Sequence, residues 1–296
     1  MPDVGAEKLP GALADTNPQV LVVRGTKVSA DAMGRAPALK VVVRAGAGYD
    51  TIDCAGAKAK GIAVCNCPGM NAAAVAELTL GLLLALDRRI VEQTMDLKAG
   101  VWNKKEYGKA RGVKGSTLGV IGLGSIGREV IRRARAFGIQ CFAHSLNMTP
   151  ERALDLGVQN AGRTRADLLA MLPKCDAVTV HVAANKESDR MCDAEFFGAM
   201  KKGAVFINTS RGSVVDEPAM IEAIRTKGLR VGADVFAGEP AGGQEKWKSA
   251  LADLPGVIGT HHIGASTDQA QNAVAEEVVR IVKVFKESGA TENRVN

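Results

Sequence analysis

The most constraining feature of this chain is a series of short runs, most of them continuous and rich in Val and Ile, separated by segments of helical period. The runs fall at residues 20–23, 41–44, 62–65, 118–121, 140–143, 177–182, 205–208, 231–235 and 257–260. A strand that alternates apolar and polar residues shows one face to water. A strand that is apolar at every position has both sheet faces covered, as in a parallel sheet. The segments between carry helix start signals. Thr164 precedes 166–172, Asp193 precedes 195–200, and Asp216 with Pro218 opens a helix ending near Gly228. Strand–helix–strand alternation predicts a doubly wound α/β architecture. At about 100–200 residues per domain, 296 residues predict two domains.

Composition narrows the class further. An apolar fraction of 46% with 24% charged residues excludes collagen, coiled coil and disorder. The net charge of 38 − 32 = +6 suits an anionic ligand and equally a solvated surface. The nearest basic cluster, Lys104, Lys105, Lys109, Arg111 and Lys114, is no dense stripe, so no nucleic-acid partner is expected. The six cysteines, at 54, 65, 67, 141, 175 and 192, contain no CxxC pair, and Cys65 and Cys67 stand too close for a usual zinc knuckle. No metal site is expected. Cys141 and Cys175 lie in apolar runs and read as buried free thiols, which points to a reducing, cytoplasmic setting.

Residues 1–5 show neither a basic n-region nor an apolar h-region, so no signal peptide is expected. The most apolar stretch, 72–86, is interrupted by Glu77 and is shorter than the ~20 residues of a membrane span. No membrane partner is expected. That stretch is apolar on nearly every face, which predicts a helix buried between domains or subunits. Residues 95–115 have no clear period and read as a domain crossover. The last helix, 267–286, gathers Ala270, Val274, Val278, Ile281, Val282 and Phe285 on one face and would return the chain to the first domain.

The strongest local motif is Gly122, Gly124 and Gly127 in GxGxxG spacing, after the strand at 118–121 and opening a helix with Ile126, Val130, Ala134 and Phe137 on one face. Strand before and helix after is the context a dinucleotide loop requires. Gly122 permits the tight turn, Gly124 the approach of a diphosphate, and Gly127 close helix–strand packing. Ser125 and Ile126 contribute N–H groups at the helix start. An acid should end the next strand to hold the ribose. Instead the strand 140–143 runs into His144, Ser145, Leu146 and Asn147, with no acid until Glu151. Ser145 either hydrogen-bonds the ribose of NAD or leaves room for the 2′-phosphate of NADP, with His144 or Arg152 as counter-charge. NAD and NADP both stay open.

Three polar groups follow later strands: Arg211 after 205–207, Glu239 after 231–235, and His262 after 257–258. Taken singly they read as a surface ion pair, a turn residue before Pro240, and a loop residue. In a parallel sheet the strand C-termini line the ligand crevice, so together they would converge beside a bound nicotinamide. Interconverting a 2-hydroxy and a 2-keto acid needs a proton acceptor such as His, a carboxylate to orient it, and an Arg to clamp the substrate carboxylate.

Six stretches then carry a resemblance: 44–53, 66–71 with 76–78, 122–127, 208–212, 234–240 and 262–267. With them the chain resembles the D-isomer-specific 2-hydroxyacid dehydrogenases, most closely the short phosphoglycerate dehydrogenase type. The resemblance implies Arg211, Glu239 and His262 as catalytic residues and Asp234 as the holder of the nicotinamide carboxamide. His181, Thr209, His262 and Gly264 join the cofactor residues. Arg44, Ala45, Gly46 and Asn71, with Arg211, are implied to bind a small anionic 2-hydroxy or 2-keto acid. The implied fold is two doubly wound parallel-sheet domains. A Rossmann domain, 95–266, is inserted in a flavodoxin-like substrate domain, 1–94 with 267–296. A homodimer through the Rossmann domains is implied as well.

Departures from the family pattern are His261 in place of proline beside His262, and Ala183 in place of proline two residues after His181. The family's first strand and helix have no room ahead of Val20, and no serine-sensing domain follows Asn296; both are expectations for the chain as it stands. The expected activity is hydride transfer between NAD(P) and D-3-phosphoglycerate or 3-phosphohydroxypyruvate. The alternatives are an NADPH-dependent glyoxylate/hydroxypyruvate reductase and a non-catalytic, dinucleotide-sensing protein like the corepressors of this fold.

Overall fold

The computed structural model describes residues 4–240 and 244–296; the first three residues, part of the segment read above for a leader, lie outside them. The chain divides into two compact units. One comprises the residues up to Asn71 together with Ser266–Asn296, the other Ala72–Ala265.

The first unit runs α1 (Leu9–Thr16), β1 (Val20–Val23), α2 (Ala30–Gly34), β2 (Val41–Arg44), α3 (Cys54–Ala59) and β3 (Ala63–Cys65), and takes in the C-terminal helix Asp268–Ser288. The strands pair in parallel in the order β1-β2-β3. The apolar run of β2 explains itself here. Val42 packs with Leu9, Leu13 and Met33 on one face, and Val41 and Val43 pack with Ile281, Val278 and Phe285 on the other. Ser29 and Asp53 cap α2 and α3 by accepting from Ala32 N and Gly56 N. The tail closes the outer edge of β3: Val295 N donates to Val64 O, and the Asn296 side chain joins Val64 N and Ile62 O. A covered edge offers no template for pairing with another chain.

The second unit begins with α4 (Ala72–Arg88), α5 (Ile90–Lys98), α6 (Lys104–Tyr107), β4 (Thr117–Ile121), α7 (Ser125–Ala136), β5 (Gln140–His144), α8 (Pro150–Leu156) and β6 (Gln159–Asn160). It continues through α9 (Arg165–Met171), β7 (Ala177–Val180), α10 (Ala194–Ala199), β8 (Val205–Asn208), α11 (Glu217–Lys227), β9 (Arg230–Ala233) and β10 (Val257–Gly259). All pairings are parallel, in the order β10-β9-β8-β7-β4-β5-β6. The order reverses between β4 and β7, the switch point where such sheets bind ligands. Both faces are covered: Leu118 and Val120 point to a core shared with Leu80, Leu83 and Leu86 of α4, and Val178, Val180 and Phe206 to one shared with Phe196 and Phe197.

Three expectations need correction. Helix α4 packs on α7, β8 and β9, so residues 72–94, assigned above to the first domain, sit in the second unit. Its all-round apolarity signals burial but not against which neighbour; Leu82, for example, lies against Gly232 of β9. The aperiodic crossover at 95–115 contains α6 and the end of α5. Arg89 fastens them by pairing with Glu106 at 2.8 Å and lying 4.7 Å over the Tyr107 ring. Finally, the strand read at 231–235 ends at Ala233 and that at 177–182 ends at Val180, which leaves Asp234 and His181 in the loops past the strand ends. Among the described residues no helix is long and apolar enough to cross a membrane.

Candidate active site

The three glycines of the phosphate loop differ in what surrounds them. Gly122 sits at φ +94°, and a Cβ there would lie 2.4 Å from the His181 carbonyl oxygen. A Cβ on Gly127 would lie 2.0 Å from the Gly122 carbonyl. A Cβ on Gly124 would meet nothing within 4 Å. Two of the glycines therefore pack the loop onto the sheet, and the third faces open space. Helix α7 begins there with Gly124 at its N-cap, no side-chain cap and no acid in its first turn. The N–H groups of Ser125, Ile126 and Gly127 have no helical partner, and the helix end adds partial positive charge. An open, uncapped N-terminus beside a glycine fits the diphosphate of a dinucleotide.

Around the loop, Gly122 N donates to His144 O at 2.9 Å and His181 N to Ile121 O at 2.7 Å. Both histidines are buried. His144 Nε2 lies 3.0 Å from Thr164 O, and burial lowers its pKa. It is therefore a neutral ring turned onto a carbonyl, not the counter-charge considered above. His181 Nε2 lies 3.0 Å from Thr179 Oγ1, and burial pushes its pKa down to about 3. It meets the loop through its backbone. Past His181, Ser188 Oγ donates to Ala183 O at 2.6 Å and accepts from Asn185 N at 2.9 Å.

At the C-terminal ends of β8, β9 and β10 the polar groups come together. His262 Nδ1 lies 2.5 Å from Glu239 Oε1. Glu239 Oε2 accepts from Phe236 N at 2.9 Å, which fixes the carboxylate. Burial raises the Glu239 pKa, but its bonds to His262 and Phe236 N outweigh that and hold it below the usual glutamate value. The Glu239 bond raises the His262 pKa above the ordinary histidine value, against burial and the Arg211 charge. Arg211 donates through Nη1 to Ser210 O at 2.7 Å, and its charge acts on both partners of the pair. Asn208 shapes this turn by bonding Arg211 O, Ser210 N and Ser210 Oγ. Thr209 is buried, with Oγ1 3.1 Å from Thr79 Oγ1.

Asp234, 2% exposed, organises the loop that carries His262. Its Oδ1 accepts from Thr260 Oγ1 at 2.6 Å and Ile263 N at 2.9 Å, and its Oδ2 accepts from Gly264 N at 2.9 Å. Its backbone oxygen accepts from His262 N at 2.8 Å. The sequence motifs do not mark Thr260 or Phe236 as site residues; the one signal is the place of Thr260 directly ahead of the two histidines.

Ser145, part-exposed, follows β5 in the second unit, and the remaining site residues belong to the first. Arg44 ends β2 and donates through Nη1 to Ala45 O at 2.6 Å. Gly46, at φ +147°, leaves room for that guanidinium, since a Cβ there would lie 1.6 Å from Arg44 Nη1. Asn71 closes this part of the chain, its Oδ1 buried without a partner among the described residues. Among those residues no cluster of His, Cys, Asp or Glu could hold a metal ion.

Comparisons with known proteins give the family. Residues 80–264 match the family described as "D-isomer specific 2-hydroxyacid dehydrogenase, NAD binding domain". The chain is 40% identical over 279 residues to a D-3-phosphoglycerate dehydrogenase of Methanocaldococcus jannaschii, covering 94% of this chain and 51% of that protein. It thus spans about half the length of that relative. It is 42% identical over 272 residues to a hydroxypyruvate reductase of Thermotoga maritima, covering 91% of this chain and 85% of that one. Among solved structures it resembles an NADPH-dependent glyoxylate/hydroxypyruvate reductase from Sinorhizobium meliloti in complex with NADP and malonate. The TM-score is 0.81 at 29% identity, over 96% of this chain and 85% of that one. The chain belongs to the D-isomer specific 2-hydroxyacid dehydrogenase family.

Proposed function

We propose that the protein is an NAD(P)-dependent D-2-hydroxyacid dehydrogenase, interconverting D-3-phosphoglycerate and 3-phosphohydroxypyruvate in serine biosynthesis. The observation that carries the enzyme reading is the His262–Glu239 pair at 2.5 Å with the Arg211 charge acting on both. When bound, the nicotinamide supplies or accepts the hydride. Glu239 holds His262 through Nδ1, which leaves Nε2 for the substrate oxygen. The protonated imidazole gives its proton to a 2-keto oxygen in reduction, and the neutral one takes it from a 2-hydroxyl in oxidation. Arg211 clamps the substrate carboxylate in fork geometry and polarises the carbonyl. Arg44, Ala45, Gly46 and Asn71 contribute to substrate binding. Gly122, Gly124, Ser125, Ile126, Gly127, Ser145, His181, Thr209, Asp234 and Gly264 form the cofactor side.

The likeness to a phosphoglycerate dehydrogenase over 94% of the chain supports the phosphorylated substrate. A second reading, a hydroxypyruvate or glyoxylate reductase, is favoured by the 42% identity to a relative covered over 85% of its length. A substrate panel decides between them. Phosphohydroxypyruvate is expected to exceed hydroxypyruvate and glyoxylate by at least about tenfold in kcat/KM, which is about 1.4 kcal/mol of transition-state binding. Preference for an unphosphorylated acid would select the reductase. Turnover of none, with tight cofactor binding, would select the sensor.

We further propose a homodimer. Ile90, Val91, Met95 and Leu97 of α5 and the adjoining Val101 and Trp102 are all exposed, Trp102 at 78%. Exposed apolar side chains concentrated in one short segment suit burial against a second copy. The six cysteines are free, which supports a reducing, cytoplasmic setting.

A further inference from the structure

We propose that the ribose end of the dinucleotide site takes a 2′-phosphate, making the carrier NADP(H), and that Arg152 is the residue that selects it. The proposal rests on the dinucleotide reading above and narrows it to one carrier.

The position is defined by the sheet. Ile121 of β4 is the register partner of His144 of β5, and Gly122 N bonds His144 O. The residue after His144 therefore lies beside the glycine turn, where a carboxylate would receive the two ribose hydroxyls. Ser145 stands there, part-exposed and small. His144 is no candidate for a counter-charge, being buried, bonded to Thr164 O and held neutral by its burial.

Arg152 differs in each respect. Its Nη2 donates to Leu123 O, inside the glycine loop, at 3.1 Å, and its Nη1 donates to Asn147 O, two residues past Ser145, at 3.3 Å. The guanidinium thus bridges the two segments that flank the ribose position. Both partners are neutral carbonyls. Among the described residues Arg152 forms no ion pair, and with five donors it has N–H groups to spare. The backbone of Arg163 is also near, since it follows Gly162, whose carbonyl accepts from Ser145 N at 3.4 Å.

The nearby carboxylates are engaged elsewhere. Asp167 caps α9 through Thr164 N, Thr164 Oγ1 and Arg163 N, which holds its pKa near 2. Glu151 serves the start of α8, with Thr149 and its own N–H lowering its pKa. A dianionic phosphate at Ser145 would meet an uncompensated guanidinium, and NAD would meet no acid.

The test is isothermal titration of the full chain, without substrate, with NADPH, NADH, adenosine 2′,5′-bisphosphate and 5′-AMP. One charge-assisted phosphate contact corresponds to about ten- to a hundredfold in affinity, so NADPH should bind at least about tenfold more tightly than NADH. The bisphosphate should outbind 5′-AMP by a similar factor. Arg152→Gln should weaken NADPH far more than NADH, and Ser145→Asp should reverse the preference. Wild-type protein that binds NADH as well as or better than NADPH overturns the proposal while leaving the dinucleotide reading intact. So does Arg152→Gln weakening both carriers equally, which would make Arg152 a prop of the loop. Failure of both carriers to bind would overturn the dinucleotide reading itself.

Discussion

Replacing Gly124 by alanine should raise the stability of the protein and abolish dinucleotide binding at once. Gly124 sits at φ −68°, ψ −166°, which alanine adopts without strain, and its Cβ would meet nothing within 4 Å. Removing glycine's freedom in the unfolded chain then stabilises the fold by about 0.4–1 kcal/mol. For a unit of 265 − 72 + 1 = 194 residues, that corresponds to a Tm rise of roughly 1–4 °C. The same methyl group projects into the space the diphosphate needs. Keeping the phosphates off the α7 N–H groups removes charge-assisted bonds of about 1.5–3 kcal/mol each. A hundredfold or greater loss of affinity should follow. Gly127→Ala is the contrasting control, because its Cβ would stand 2.0 Å from the Gly122 carbonyl. Backbone must move, so overpacking of about 1–3 kcal/mol or more is expected, with a lower Tm. Scanning calorimetry without ligand and titration with the cofactor read the two effects separately. A Gly124→Ala protein that binds cofactor as wild type does, or that melts as early as Gly127→Ala, would refute the reasoning.

Other outcomes follow from the same geometry. Glu239 raises the His262 pKa, so the proton needed for ketoacid reduction is held to higher pH than in a free histidine. Glu239→Gln should move the falling alkaline limb of the reduction profile to lower pH and cut kcat; an unmoved limb would remove Glu239 from the proton path. The stability signs are opposite for the two partners. The His262 contribution is present below its unfolded pKa and lost as pH rises through the raised folded value, and the Glu239 contribution is lost as pH falls through its lowered one. Urea midpoints of wild type and Glu239→Gln should therefore converge at both ends of the pH range, and a constant gap would show that the pair is not their cause. On α5, Met95→Glu with Trp102→Glu should convert a dimer to monomer in light scattering with little change in monomer stability, because both side chains are exposed; an unchanged mass would place the interface elsewhere.

What the sequence discloses depends on which physical constraint acts at each residue. The strand at 118–121 is legible because Leu118, Val120 and Ile121 are all buried between two covered faces. Strand β6 is not, because Gln159 and Asn160 are exposed at the sheet edge and carry no apolar signal. Helix α5 escapes notice for a related reason: none of its residues is buried, so its apolar side chains match no core period. The wholly apolar helix at 72–86 announces burial but not its neighbour, so the boundary drawn at 94 falls at 71. Within the site, spacing alone leaves two adjacent histidines equivalent. Only the chain path past Gly259 brings the ring of His262 to Glu239.

That chain path costs something. His262 adopts φ +52°, a left-handed conformation that a non-glycine residue accepts at an expense of order 1–3 kcal/mol. Asp234 offsets it. Bonds to a buried carboxylate are worth about 1.5–3 kcal/mol each, and Asp234 receives three, from Thr260 Oγ1, Ile263 N and Gly264 N. Their sum exceeds the strain, so the imidazole is aimed before any ligand arrives, the condition for a proton donor that need not reorganise during reaction. An ionised carboxylate has about four acceptor positions, and the three used here leave one, on the Oδ2 side. The family resemblance gives the nicotinamide carboxamide to this same aspartate. A carboxamide bound there would share the carboxylate that, through Thr260 Oγ1, Ile263 N and Gly264 N, shapes the loop carrying His262.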